Sequence, residues 1–304
     1  MRRAKGRRKK RREVHKDKID LELIYAVDYN SNMKLTLKDK TKVNTFANIF
    51  RHLKNILDDA NIIFADTHVY MQGMDGTHAL LFELNIMKEW FDEYESKAEI
   101  PQIFGLHCET FFKIINCLNE NQYIELVWET DDDKMSIAFK GGNSISKEFE
   151  LSRIDMDTDM MEIPDVEYTA DICIKSDEFS EIIKELSIFN DTVQVKCTEE
   201  KIKLLASGTL GSMTASIKED DIISYAIEEG AELIVHYGLS FMDKVCHFNK
   251  LSTDLYIHCS LAYPMKMIYS LDEPDDDDDD DDEEQTTDNP KSYCRFFIAP
   301  KEVD

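Results

Sequence analysis

The residues of this chain that could do chemistry are its cysteines, histidines and clustered aspartates, and their spacing argues against each chemistry in turn. Cys108, Cys117, Cys173, Cys197, Cys246, Cys259 and Cys294 are odd in number, dispersed, and never in a C-x-x-C pattern. A disulfide framework or a zinc site needs paired spacing. His107–Cys108 and His258–Cys259 offer mixed ligands, but adjacent residues in a strand point to opposite faces. The cysteines therefore read as buried small hydrophobes. Asp131-Asp132-Asp133 has the composition of a metal-binding nuclease cluster. Three consecutive residues cannot converge on one ion without a special loop, so the run reads as a hairpin turn between YIELVWE and KMSIAFK. The phosphate-loop, dinucleotide, zinc-protease and serine-hydrolase patterns are all absent from the sequence. The reading is a non-enzyme with no cofactor and no metal.

Charge is distributed unevenly. The formal net charge is −26, which by itself speaks against a partner made of phosphate. Residues 2–12 nonetheless hold nine cations and no acid, whereas residues 272–288 hold thirteen acids and no cation. Both stretches read as disordered through self-repulsion. The basic one suggests a nuclear-import signal or a DNA-grasping arm. The acidic one reads as an insertion in a hairpin loop, because the apolar runs MKMIYSL and YCRFFIA flank it. No run approaches the ~18 apolar residues of a membrane span, so no membrane partner is expected, and the chain reads as soluble and intracellular.

The elements that must position any site come from a repeat. Val43, Phe46, Ile49, Phe50, Leu53 and Leu57 recur at helical spacing, followed by strand patterns HVYMQGM and ALLFELNI around Asp75-Gly76. About 130 residues later the same order returns as EFSEIIKELSIF, DTVQVKC, KIKLLAS and MTASIKE. CETFFKIINCL, YIELVWE and MSIAFKG return likewise as SFMDKVCHF, DLYIHCS and MKMIYSL. The expected fold is α+β: a duplicated domain with four helices on one side of curved antiparallel sheets. Domain bounds are read as a tail 1–18, a first domain 19–153, a connector 154–168 and a second domain 169–304 interrupted by 272–291. From Lys42 to Leu57 there is no acid, where composition predicts about three, so this helix is a candidate nucleic-acid face.

Several stretches resemble the proliferating cell nuclear antigen family of DNA sliding clamps. They are MQGMDGTHALLFEL, WFDEY, EIPDVEY, VKCTEEKIKLLASGTLG and FFIAPK, in the family's order. The resemblance implies a homotrimeric ring of two-domain chains around duplex DNA, acting as a polymerase processivity factor in replication and repair. It also implies partners carrying a short interacting peptide: DNA polymerase, clamp loader, flap endonuclease and DNA ligase. The peptide-binding positions that match are Met74, His78, Leu81, Met161, Ile163, Pro164, Tyr168, Pro264, Phe297, Ala299 and Pro300. Arg51, Lys54, Lys113, Lys184 and His247 match DNA-facing positions, while Asn116 and Glu181 stand where the family is basic. Phe149 and Leu151 on one strand, and Met213 and Ile217 on another, match the subunit interface. Glu199 occupies the position of the family's regulatory lysine. The implied location is the nucleus, or a cytoplasmic viral replication compartment if a large DNA virus encodes the chain. The alternatives are a subunit of a heterotrimeric checkpoint clamp, a monomeric viral processivity factor and an acidic histone-chaperone-like protein.

Overall fold

The computed structural model describes residues 32–96, 100–129, 132–142, 145–157, 160–218, 221–272 and 290–302. The basic stretch 2–12, the run Asp275 to Asp282 and Asp131 lie outside them.

The first half runs β1 (Asn32–Leu37), α1 (Lys40–Leu53), β2 (Asp59–Phe64), β3 (His68–Met74), β4 (Leu80–Met87), β5 (Glu93–Ser96), β6 (Gln102–His107), α2 (Cys108–Ile115), β7 (Tyr123–Glu129), β8 (Lys134–Lys140) and β9 (Lys147–Ser152). The second half repeats that order: β10 (Ala170–Lys175), α3 (Ser176–Leu186), β11 (Thr192–Thr198), β12 (Lys201–Gly208), β13 (Gly211–Lys218), β14 (Ser224–Ile227), β15 (Leu233–Gly238), α4 (Leu239–Cys246), β16 (Asp254–Cys259), β17 (Met265–Ser270) and β18 (Tyr293–Ile298). The duplicated α+β fold expected from the repeat is the fold observed.

Local chemistry explains the elements. Asp39 caps α1 by accepting a hydrogen bond from Lys42 N at 2.9 Å, which satisfies an otherwise unpaired donor of the first turn. The apolar stripe Val43, Phe46, Ile49, Phe50 and Leu53 is buried. Phe50 meets Phe46 and Phe111 with ring centroids 4.9 and 4.5 Å apart, joining α1 to α2. Strict alternation in β11 buries Val193, Val195 and Cys197 on one face.

Strand pairing joins the halves. β5-β1-β7-β8-β9 form one sheet, β13-β12-β11-β15 another, and β14-β10-β16-β17-β18-β4-β3-β2-β6 a third that crosses from the second half into the first. The crossing is the antiparallel pair β18·β4, with Phe296 opposite Phe82 and Arg295 opposite Glu83. Beneath it, Phe82, Phe248 and Phe296 form a phenyl cluster with centroids 4.8 to 6.3 Å apart. Trp90 adds a second tie, donating from Nε1 to Leu271 O at 3.0 Å. β9 and β13 each keep one long side without a strand partner among the described residues.

The β3–β4 hairpin turns on Asp75. Its buried carboxylate accepts from Thr77 N and Oγ1, Ala79 N and Leu80 N at 2.6 to 3.1 Å. Desolvation disfavours the charge, yet these donors outweigh it and hold the carboxyl below its ordinary range. The resulting stability is present above the unfolded pKa and is lost as pH falls through the lower folded value. Asp75→Ala leaves buried backbone donors unpaired, so we expect a loss of about 1–3 kcal/mol in denaturant unfolding at neutral pH. The difference from the native chain should shrink below about pH 4. An equal difference at pH 7 and pH 3 would contradict this account of the hairpin.

Candidate functional site

The connector is laid down by backbone contacts before it contributes any side chain to a site. Ile154 N donates to Gly105 O at 2.9 Å, and a Cβ on Gly105 would stand 2.1 Å from Ile154 O, so the chain passes there only because residue 105 is glycine. Asn61 Nδ2 donates to Asp157 O at 3.4 Å. Gln72 on β3 then holds Met161 at both ends: Nε2 donates to Met161 O at 3.0 Å, and Met161 N donates to Oε1 at 2.7 Å.

Between this strap and the sheet lies an apolar pocket of about 260 Å³. Met74, His78, Leu81, Met161, Ile163, Pro164, Tyr168, Pro264, Phe297 and Ala299 all line it, as the sequence led us to expect. Pro300 is exposed and does not. The end of the strand explains the exception: β18 stops at Ile298, and Lys301 N turns away to bond His236 O at 2.7 Å. Ala79, Glu162, Val166 and Tyr263 complete the wall.

The floor is set by Tyr168. Its ring lies 5.5 Å from His258 and 6.4 Å from Tyr263, with Lys266 Nζ 4.8 Å from its centroid. Burial pushes its hydroxyl up to about 12, with Arg295 acting in the opposite sense, so it remains a neutral donor. Asp171 Oδ1 lies 2.6 Å from His258 Nδ1 behind it. An apolar cleft with a few fixed polar groups and a backbone rim can seat a short peptide.

On the other side of the sheets the four helices form one layer. α1 packs on α2 and α3 on α4, while His52 of α1 meets His247 and Phe248 just beyond α4 at 5.7 and 5.6 Å. Arg51 is exposed and donates to Asn48 Oδ1 at 2.9 Å, and Lys184 is exposed without an acidic partner among the described residues. Lys54 covers the Phe112 ring at 4.3 Å. Lys113 pairs with Glu109 at 2.9 Å, and His247 lies 3.9 Å from Asp243. His52 is pushed down to about 4 by burial first, then by His247, Arg51 and Lys54, so it adds no charge at neutral pH. The layer is mildly basic along α1 and acidic along α3, where Glu178, Glu181 and Glu185 are exposed.

The four interface candidates fall on two of the open sheet edges. Phe149 and Leu151 are on β9, half-buried and buried, and Met213 and Ile217 are on β13, again half-buried and buried.

Comparison with family models agrees with this geometry. The proliferating cell nuclear antigen N-terminal domain matches residues 26–161, and the C-terminal domain of the same family matches residues 162–275. The chain belongs to the proliferating cell nuclear antigen family. It therefore has the DNA sliding-clamp fold of a family of non-enzymatic scaffolds for DNA replication. The boundary between the two matches falls at Met161, the residue Gln72 clamps. β18 lies beyond the C-terminal match, yet it is the clamp strand that closes the domain junction.

Gln72 was not legible in the sequence, because a side chain bonding a distant backbone leaves no local pattern. Removing its two bonds, each about 1 kcal/mol, should free the strap without altering the sheet. In Gln72→Ala we expect amide exchange at Met161 and Ile163 to rise about tenfold or more, with β3 and β4 unchanged. Unchanged exchange at Met161 would show that the pocket wall stands without the clamp.

Proposed function

We propose that three copies of this chain close head to tail into a ring around duplex DNA. In this reading the ring tethers replication and repair enzymes through the pocket beneath the connector. Topology retains the DNA, so strong contacts are unnecessary, which suits a helix layer that is only mildly basic and a body that is acidic. What the tethered enzyme gains is effective concentration at its substrate. The partners that fit are those expected above: DNA polymerase, clamp loader, flap endonuclease and DNA ligase, each presenting a short apolar-anchored peptide.

The observation that carries the ring is the internal copy of its joint. By the repeat, β9 corresponds to β18 and β13 to β4. Phe149 then stands where Phe296 stands, and Met213 where Phe82 stands. Phe296 and Phe82 are wholly buried in the β18·β4 junction, whereas Phe149 and Met213 remain partly exposed on open edges. Ile56 beside β4 is 6% exposed, while its counterpart Phe189 beside β13 is 36% exposed. Neighbouring Ile188 and Leu210 are also bare, as is Ile145 just before β9. Open edges flanked by apolar residues are surfaces that proteins pair or cover. Pairing β9 of one copy with β13 of the next covers all of them, and head-to-tail contacts of this kind form rings when the rotation closes. A monomeric processivity factor would leave them in water. For the basic stretch 2–12 we favour nuclear import.

Transferring the β18·β4 register to the joint places Glu150 opposite Ser212. Opposed strand residues lie within reach of a disulfide. Cys117 is the exposed cysteine among the described residues, so Cys117→Ser is the background of choice. Glu150→Cys with Ser212→Cys should give covalent trimer on mild oxidation, and neither single variant should. Only monomer from the double variant would contradict the joint.

For the pocket, Tyr168→Ala removes the aromatic floor. A labelled peptide derived from a polymerase-type clamp-binding motif should then bind about 10–100-fold more weakly, the range of a central anchor residue. Native affinity in this variant, with the peptide still bound by the native chain, would place the docking site elsewhere.

A further inference from the structure

The β18·β4 junction contains a charge pair that its counterpart at the proposed subunit joint lacks. Arg295 Nη1 lies 3.2 Å from Glu83 Oε2, and both side chains are largely buried. Tyr70 donates its hydroxyl to Glu83 Oε1 at 3.0 Å, and the Arg295 guanidinium sits 4.1 Å from the centre of the Tyr293 ring. The repeat places exposed Glu148 at the position of Arg295, and exposed Thr214 at the position of Glu83.

We infer that this pair assigns each strand to its correct partner: it reserves β4 for β18 and keeps β9 for β13 of another copy. The inference rests on the ring reading. Apolar content does not make the choice, because Phe149 could replace Phe296 against Phe82. Charge does. β9 laid on β4 would bring Glu148 against buried Glu83, two like charges with no cation between them. β18 laid on β13 would bury Arg295 opposite Thr214, with no acid to meet it. Breaking a buried pair in this way costs far more than an exposed pair returns.

Chain order explains why such a device is needed. The two strands are far apart in sequence, as the bond from Asn85 to Lys291, with its separation of 206 residues, shows. At roughly 5–20 residues per second, β4 waits roughly 10–40 s during synthesis for β18 to appear. Throughout that time its edge is open to β9 of other copies. A charge on a waiting edge is a known means of refusing wrong strands.

The test is a charge reversal with rescue, read by size-exclusion chromatography with light scattering after refolding the full chain at micromolar concentration. The native chain should give a single trimer peak. Glu148→Arg alters only an exposed residue and turns the repulsion into attraction, so the single peak should be lost to a mixture of larger species. Glu83→Arg with Arg295→Glu keeps the internal pair but also attracts Glu148, and should give the same mixture. All three substitutions together set Arg against Arg and should restore the trimer. Four indistinguishable trimers would overturn the inference and leave the ring intact, as would a triple variant that stays mixed. A monomeric native chain would overturn the ring reading itself.

Discussion

An unpaired strand edge is a row of backbone donors and acceptors that must find partners, and the whole molecule is arranged around where those edges fall. Among the strands concerned are β4 and β13, and β9 and β18, which the duplication relates in pairs. One pairing, β18 on β4, is made within the chain, and it merges strands of both halves into a nine-stranded sheet. The phenyl cluster Phe82, Phe248 and Phe296 fills the space beneath it. β9 and β13 keep an open side among the described residues, as do the other sheet-end strands β5, β6, β14 and β15.

The pocket depends on the same junction. Phe297 and Leu81, two of its walls, are opposed across β18·β4, and Ala299 follows directly from β18. The connector contributes the remaining wall only because Gly105 lets it pass and Gln72 holds Met161. The pocket is thus a by-product of how the two halves are joined, and anything that disturbs the β18·β4 junction reaches it.

Much of this was legible in the sequence because repetition is a global signal. Helical spacing from Val43 to Leu57 returns in EFSEIIKELSIF, and CETFFKIINCL returns in SFMDKVCHF, which together gave the four helices and their order. Ten of the eleven expected pocket residues line it. Pro300 does not, because the chain turns off toward His236 after β18. What stayed hidden was long-range and polar. Trp90 bonding Leu271 O, Gln72 bonding Met161 and Glu83 meeting Arg295 each join residues far apart in sequence, with no spacing rule to reveal them. Tyr263 was hidden for a different reason, since an aromatic beside a proline reads equally well as core.

The central claim is that the open edges of one chain are closed by other copies of itself. Its most direct measurement is the solution mass by light scattering at micromolar concentration and physiological salt. The account predicts a species three times the chain mass of 35.4 kDa. A stable species at the mass of one chain, with β9 and β13 amides exchanging freely, would contradict it.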